Sequence, residues 1–260
     1  MTTTANTTDT AAVRSAPLWW TLGVAETRLI VRNRAVLLTA AVVPLGMGLL
    51  LSQGDSALLA GTGGALAATQ LVFVQMFGVF FTVTMTLASR RQQRYLKRLR
   101  TSPASTASIV TGLAAPAVAI ALVQMLLLFA LVLMRTGTVP ERPELLAAAF
   151  ALGAVLNTAL GFLTASFTKN PEAAQFTVIP GMLVIMAGGA WALLRPPAEV
   201  AFAHLLVPGG AITDLARTGW DGTAGRGLVE AVALPAIAAL AVSAAACLIA
   251  AKCFRWQPRA

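Results

Sequence analysis

The chain has 260 residues, of which 57% are hydrophobic and only 11% are charged, and its mean hydropathy is +0.77. So little charge excludes an ordinary soluble domain and predicts an integral membrane protein. The net charge of +9 reflects where basic residues lie beside the membrane, so it gives no reason to expect nucleic-acid binding.

The N-terminal segment precedes the apolar part of the chain. Residues 1–16 are rich in Thr and Ala, and we expect them to form a disordered cytoplasmic tail before a single transmembrane domain at 17–260. Between Pro17 and Arg34, Trp and Leu residues are mixed with Glu and Arg. This mixture predicts an amphipathic helix in the membrane interface, with a plain cytoplasmic extension as the alternative.

Six uncharged runs each reach the roughly 20 residues that cross about 30 Å of hydrocarbon. Backbone groups in lipid must be hydrogen-bonded within the segment, and the runs lack the alternation of barrel strands, so each run is predicted to be a helix. The expected fold is an all-α integral membrane protein. Its predicted spans cover about residues 35–53, 66–89, 107–134, 145–168, 172–194 and 229–252, and kinks are possible at Pro44, Pro116, Pro180 and Pro235.

The connections between the spans differ in charge. Placing both termini in the cytoplasm puts most of the 19 Lys and Arg residues there, as the positive-inside rule requires. We therefore predict a multi-pass protein of the cytoplasmic membrane with both termini inside.

The densest cluster of charge is Arg90–Arg100, RRQQRYLKRLR, between the second and third spans. It cannot enter hydrocarbon, because each Lys or Arg at mid-bilayer costs roughly 2.5–3.5 kcal/mol. The run is predicted to be an amphipathic cytoplasmic helix with apolar contacts from Tyr95, Leu96 and Leu99. The following Thr101–Pro103 is predicted to cap the next helical turn.

The longest connection, Arg195–Glu230, lies outside in this topology and is broken by Pro and Gly. Its apolar pieces are too short to span, which predicts one or two interfacial or re-entrant helices with Trp220 near the headgroups. The lone His204 has no second ligand at metal-binding spacing, so no metal site is expected. Cys247 and Cys253 fall on different sides of a helix, so no disulfide is expected between them.

Motifs for nucleotide binding and catalysis are missing from the sequence. No lysine lies in a G-x-x-x-x-G-K-[ST] context, and no catalytic set is visible, so we expect a non-enzyme without its own cofactor. The predicted spans contain amides such as Gln75 and Asn157 but no carboxylate or base at depth. This argues against ion-coupled transport and suggests an external energy source.

Stripes of Met and aromatic residues occur in the second and fifth spans. Such soft apolar side chains suit a path for varied apolar substrates, although helix packing produces the same pattern, and both interpretations remain open. The candidate path residues are Phe73, Met76, Phe77, Phe80 and Thr84 in the second span, with Phe176, Ile179, Met182 and Met186 in the fifth.

The order of these elements resembles the ABC-2 type permease family over Pro17–Arg259. The most specific part is R-x-x-x-Y-L-K-R-L-R-T-S-P at Arg91–Pro103, which is similar to the family's charged stretch ending in L-x-x-L-R-x-[ST]-P. Many members carry glutamates early in this stretch, where this chain has Arg and Gln.

The resemblance implies an exporter's transmembrane subunit. It would pair with a second permease copy, as a homodimer in preference to a heterodimer, and with two copies of a separate ATPase that binds ATP and Mg²⁺. The cargo would be a small amphipathic compound such as a drug, an antibiotic or a lipid-like molecule. The coupling helix to the ATPase would comprise Arg90, Arg91, Gln92, Arg94, Tyr95, Leu96, Lys97, Arg98, Leu99 and Arg100.

Two other functions stay open at this point: a self-contained secondary transporter or channel, and a membrane-embedded enzyme. Transport driven by a proton gradient without a partner would favour the first. The sequence offers no catalytic set for the second.

Overall fold

The computed structural model describes residues 18–32, 41–53, 62–93, 95–96 and 105–254, and this part of the chain is helical without any strand. The predicted tail at 1–16 lies outside it. In chain order the helices are α1 (Leu18–Arg32), α2 (Val43–Gln53), α3 (Gly63–Gln92), α4 (Thr106–Thr136), α5 (Pro143–Phe167), α6 (Pro171–Leu193), α7 (Phe202–Leu206), α8 (Gly210–Asp221) and α9 (Val229–Cys253).

Five helices in the described residues are long and apolar enough to cross a membrane: α3, α4, α5, α6 and α9. Their ends lie within three residues of the predicted spans two to six. Of the first predicted span, residues 41–53 are described, and they include the shorter apolar helix α2. The total of six spans therefore stays a prediction.

Irregular turns interrupt several of the long helices. The π-helical turns at residues 41–42 and Val229–Ala233 come just before Pro44 and Pro235, and α6 is interrupted at Val178, just before Pro180. Proline removes a backbone donor and clashes with the preceding turn, which explains these positions. The longest π segment, Val74–Phe81 in α3, contains no proline and was not predicted. Such segments are frequently found at functional sites.

Helices α3 and α5 form the centre of the bundle. In the most apolar part of α3, 72% of residues are buried, against 28% in α9. The two helices approach each other closely because Gly161 on α5, which has no side chain, faces Val83 on α3. A Cβ added at Gly161 would lie only 2.9 Å from Val83 Cγ1. The peripheral helices α4, α6 and α9 instead expose large apolar side chains such as Leu126, Leu183 and Leu240, as expected of helices in lipid.

The bundle has two chemically different ends. Arg90, Arg91, Lys169 and Lys252 lie at one end, which we call the basic end. Helix α1 packs there against the first turns of α4, where Leu22 lies beside Gly112. The predicted amphipathic helix is therefore present in the fold, although its depth in a membrane stays a prediction.

The opposite end is closed by the segment between α6 and α9. It contains the short helices α7 and α8, and every residue of α8 from Gly210 to Trp220 is buried. That they are interfacial or re-entrant stays a prediction. Asp221 Oδ1 accepts a 2.8 Å hydrogen bond from Gly64 N, and so caps α3 from another helix. Trp220 is only 2% exposed and donates to Thr138 Oγ1 over 2.9 Å. Trp220 thus packs inside the protein, and its level relative to the headgroups stays a prediction.

Candidate functional site

The predicted coupling helix begins inside α3. Helix α3 runs through Arg90, Arg91 and Gln92 and ends in a turn at Gln93, so these residues extend a span and do not open a separate helix. Tyr95 and Leu96 are again helical. The remaining predicted coupling residues, Arg94, Lys97, Arg98, Leu99 and Arg100, and the predicted cap at Thr101–Pro103, lie outside the described residues. Helix α4 is capped by Ser105, whose Oγ accepts from Ser108 N over 3.1 Å.

Arg90 connects three parts of the basic end. Its Nη2 and Nε donate to the Glu26 carboxylate on α1 over 2.8 and 3.0 Å, and Glu26 is only 1% exposed. Its Nη1 donates to Gln93 Oε1 over 3.1 Å. The guanidinium also lies 5.7 Å from the centre of the Tyr95 ring. One side chain therefore holds α1, the end of α3 and Tyr95 together. We call the charged stretch at residues 90–100 the connector.

The connector is partly buried where it is described. Leu96 has no exposed surface and belongs to the main apolar core, and Arg91 is only 2% exposed. Burial raises the pKa of the Tyr95 phenol above its ordinary value of 10.0, the Glu26 carboxylate raises it further, and the Arg90 guanidinium opposes both. Leu96 and Arg91 thus face this protein's interior, while Gln92 is exposed at the surface.

The candidate path residues on α3 mostly face neighbouring helices. Phe80 and Thr84 are fully buried and Met76 is 3% exposed. Phe80 packs in a small cluster with Val178 and Met182 of α6. Phe73 and Phe77 are partly buried and stack with their ring centres 6.2 Å apart. This half of the predicted path contributes to helix packing.

The candidates on α6 divide between the packed and the outer surface. Met182 is partly buried against the Phe80 cluster, whereas Phe176, Ile179 and Met186 are 74%, 46% and 41% exposed. The two stripes therefore do not converge on one cavity inside the described chain. The exposed residues form an outward apolar face of α6 that lipid or another chain can cover.

A cavity that the sequence did not reveal lies between α4, α5 and α9. It has a volume of about 670 Å³, and none of the nine candidate path residues lines it. Alanines from all three helices face it, including Ala114, Ala154 and Ala250, and their small side chains leave the space open. The only signal in the sequence is the alanine content of these three runs, which does not show which alanines face one another.

Polar contacts within the bundle join α3 to α5. Gln75, in the π segment of α3, donates to Phe150 O over 2.9 Å and accepts from Asn157 Nδ2 over 3.2 Å. Asn157 Nδ2 also donates to Gly153 O over 2.8 Å. Two of the few amides in the spans thus pair with each other, and both polar atoms of the Gln75 amide have partners, which avoids the cost of leaving them unpaired in an apolar interior.

A buried ionic cluster in and beside α8 was missed at the level of sequence. Asp214 has no exposed surface, and its two carboxylate oxygens accept from Arg217 Nη2 over 2.8 Å and Arg226 Nη1 over 2.9 Å. Arg217 Nη1 also donates to Arg195 O over 3.0 Å. The sequence placed these charges in an outer connection, and only the (i, i+3) spacing of Asp214 and Arg217 hinted at a pair.

Metal-ligating groups do not converge within the described ranges, where no three His, Cys, Asp or Glu side chains could hold one ion. His204 is buried against Trp191, with ring centres 4.5 Å apart, and its Nδ1 lies 3.0 Å from Ala201 N. Cys247 and Cys253 are both free thiols.

The fold defines a class of protein: a multi-pass helical membrane protein with long apolar helices and a charged segment between two of them. A family model described as "ABC-2 family transporter protein" matches residues 52–251, about three quarters of the chain, so the chain belongs to the ABC-2 transporter family. A search of curated proteins found no match. Members of this family are membrane transport subunits without an ATPase domain, and membership implies association with an ATPase subunit.

Proposed function

We propose that the chain is the permease subunit of an ATP-driven exporter. Two copies of it assemble with two copies of a separate ATPase, which binds ATP and Mg²⁺, and both chain termini lie in the cytoplasm of a cell membrane. The cargo is a small amphipathic compound, such as a drug, an antibiotic or a lipid-like molecule. Family membership and the construction of the basic end support this proposal.

The observation that carries the proposal is the contact of Arg90 with Glu26, Gln93 and Tyr95 at the end of α3. Helix α3 extends over 30 residues from its cap at the opposite end to this cluster. A force on the connector therefore acts on both α3 and α1. Such a connection between the connector and the helices fits a transporter whose energy source is a separate ATPase.

ATP can shift such a permease between two states only if the ATPase binds the two states with different affinities. The connector residues Lys97, Arg98 and Arg100 would supply that difference by charge-assisted contacts with the ATPase. Movement of α3 would be passed on to α6 through the packing of Phe80 against Met182. The cargo would then follow the outer face of α6 along the seam between two permease copies.

A charge-reversal experiment tests this proposal. Leu96 is unsuitable as a probe because an Asp there would be buried in the core. We instead expect the triple change Lys97→Glu, Arg98→Glu and Arg100→Glu to abolish co-purification of the ATPase and ATP-driven export in vesicles. The control is Lys169→Glu, because Lys169 is exposed at the same end between α5 and α6.

Two results would contradict the proposal. Unchanged ATP-driven export by the triple variant would remove the connector from the coupling mechanism. Transport that needs no ATPase and follows a proton gradient would instead favour the alternative, a secondary transporter or channel.

A further inference from the structure

The cavity between α4, α5 and α9 has the chemistry of a site for a lipid tail. Its lining carries no charged residue, and its polar groups are a few threonine hydroxyls and the Cys247 thiol. One of those hydroxyls, on Thr111, donates to Ala107 O of its own helix over 2.8 Å, so the wall offers little to a polar ligand. A ligand for this site must therefore be apolar over its buried length.

The depth of the cavity matches one leaflet of a bilayer. It begins at the basic end with Thr106, the first residue of α4, and reaches Val118 on the same helix. At about 1.5 Å of rise per residue, this stretch measures roughly 18 Å. Half of a hydrocarbon core about 30 Å thick is roughly 15 Å. A linear chain that enters from one headgroup layer would fill the cavity without crossing the bilayer.

The cavity is open on its outer side, so a lipid can enter laterally. Ala151 and Val155 on α5 and Cys247 and Ala251 on α9 all line it and are exposed. At the basic end, the rings of Phe162 and Phe254 pack with their centres 5.0 Å apart and form the inner wall of the mouth.

A cation lies at the level of this mouth along α9. Lys252 is exposed on α9, next to the lining residue Ala251 and two residues before Phe254. An amphiphile whose tail lies in the cavity would place its headgroup at this level, where an anionic group is favoured.

We propose that the cavity binds one acyl chain of an anionic membrane phospholipid, with the headgroup at the level of Lys252. The proposal goes beyond the transport function and does not depend on it. The lipid is a bound component of the subunit and fills the space that the facing alanines leave between α4, α5 and α9.

Photolabelling of the full-length permease tests the proposal without ATPase or ATP. The protein is reconstituted in vesicles of phosphatidylcholine and phosphatidylglycerol in equal parts, with a trace of phosphatidylglycerol that carries a photoreactive group on one acyl chain. We expect labelled residues to concentrate in the cavity, for example at Val118 and Ala154. Labelling spread evenly over exposed residues such as Leu126 and Leu240 would show ordinary lipid contact and overturn the proposal.

Two pairs of variants make the test specific. Ala251→Trp should fill the mouth and remove most cavity labelling, whereas Ala245→Trp, on an exposed part of α9 outside the cavity, should not. Ala151→Trp and Ala147→Trp form the equivalent pair on α5, in case one tryptophan disturbs folding. Undiminished cavity labelling in both filling variants would overturn the proposal.

The charge preference has its own measurement. Lys252→Gln should lower the preference for photoreactive phosphatidylglycerol over its phosphatidylcholine analogue by about fivefold, the effect of one basic residue at a membrane surface. An unchanged preference would overturn the assignment of an anionic headgroup. Disulfide cross-links between copies through Cys247 in a Cys253→Ser background, together with an unlabelled cavity, would assign the cavity to a second copy.

Discussion

Glu26 on α1 and Arg90 at the end of α3 are 64 residues apart in sequence, and the Arg90 guanidinium binds both oxygens of the Glu26 carboxylate. The two partners differ in exposure, since Glu26 is 1% exposed and Arg90 15%. Removing Arg90 leaves the buried Glu26 carboxylate without its charged partner. Removing the carboxylate leaves a cation that still reaches Gln93, Tyr95 and water.

This difference predicts an asymmetric response to mutation. We expect Arg90→Gln to lower the free energy of unfolding by about 3 kcal/mol, as for a buried charge that loses its partner. We expect Glu26→Gln to lower it by about 1 kcal/mol, the value of an ordinary hydrogen bond. Denaturant unfolding in lipid nanodiscs measures both, with the exposed Arg28→Gln on α1 as the control. Equal losses in the two variants would contradict the asymmetry.

Tyr95 gives a spectroscopic probe of the same cluster, because it is the only tyrosine of the chain. Its pKa lies above the ordinary 10.0 through burial first and the Glu26 charge second, and Arg90 opposes the rise. Glu26→Gln should therefore lower the pKa of Tyr95, and Arg90→Gln should raise it, as read from tyrosinate absorbance. Because a raised phenol pKa favours the neutral folded form, this stabilising contribution is complete below pH 10 and is lost at higher pH. A pKa of Tyr95 that does not move in either variant would place the phenol away from both charges.

The contact between Gln75 and Gly153 predicts a suppressor pair. A Cβ added at Gly153 would overlap the Gln75 side-chain amide, so Gly153→Ala should lower the free energy of unfolding by about 1–3 kcal/mol, as overpacking does. Gln75→Ala in the same chain should recover part of that loss, which a double-mutant cycle measures as a favourable coupling.

A control for this pair lies on α2. Gly46 has no atom within 4 Å of an added Cβ, so Gly46→Ala should be neutral or stabilising by up to about 1 kcal/mol. Additive effects of Gly153→Ala and Gln75→Ala would show that the two positions do not touch.

The ionic cluster of α8 should be far more sensitive than a surface pair. Asp214 is fully buried between two arginines, so Asp214→Asn leaves two cations together and should cost about 3–5 kcal/mol. Arg195 and Glu199 lie 3.9 Å apart and are both more than half exposed, so Glu199→Gln should change stability by no more than about 1 kcal/mol. Thermal unfolding of the two variants compares them directly. Similar midpoints for both would contradict the burial of Asp214.

Much of the secondary structure followed from the sequence. The uncharged runs predicted the ends of five spans to within three residues. Hydrocarbon excludes the Lys and Arg residues that bound each run, and the backbone between them must be helical. The Asn170–Pro171 turn was also predictable, and Asn170 Oδ1 caps α6 by accepting from Ala173 N over 2.8 Å. The charged stretch Arg91–Pro103 was enough to indicate the family, which the matching model confirms.

The sequence did not predict which side of each helix faces inward. In lipid, the buried and the exposed faces of a helix are both apolar, so hydropathy does not distinguish Phe80, which is fully buried, from Phe176, which is 74% exposed. The predicted path combined both kinds for that reason. The alanine-lined cavity was hidden in the same way, because alanine fits a close helix contact and an open groove equally well.

The sequence by itself determined where the chain is helical, where it can cross a membrane and where its positive charge is concentrated. The tertiary structure alone decided that Arg90 meets Glu26, that Asp214 is buried between two arginines, and that a cavity remains between α4, α5 and α9. The physical reason is the distance in sequence over which each effect acts. Hydrophobicity and helix formation act along neighbouring residues, whereas these contacts join residues on helices that only packing brings together.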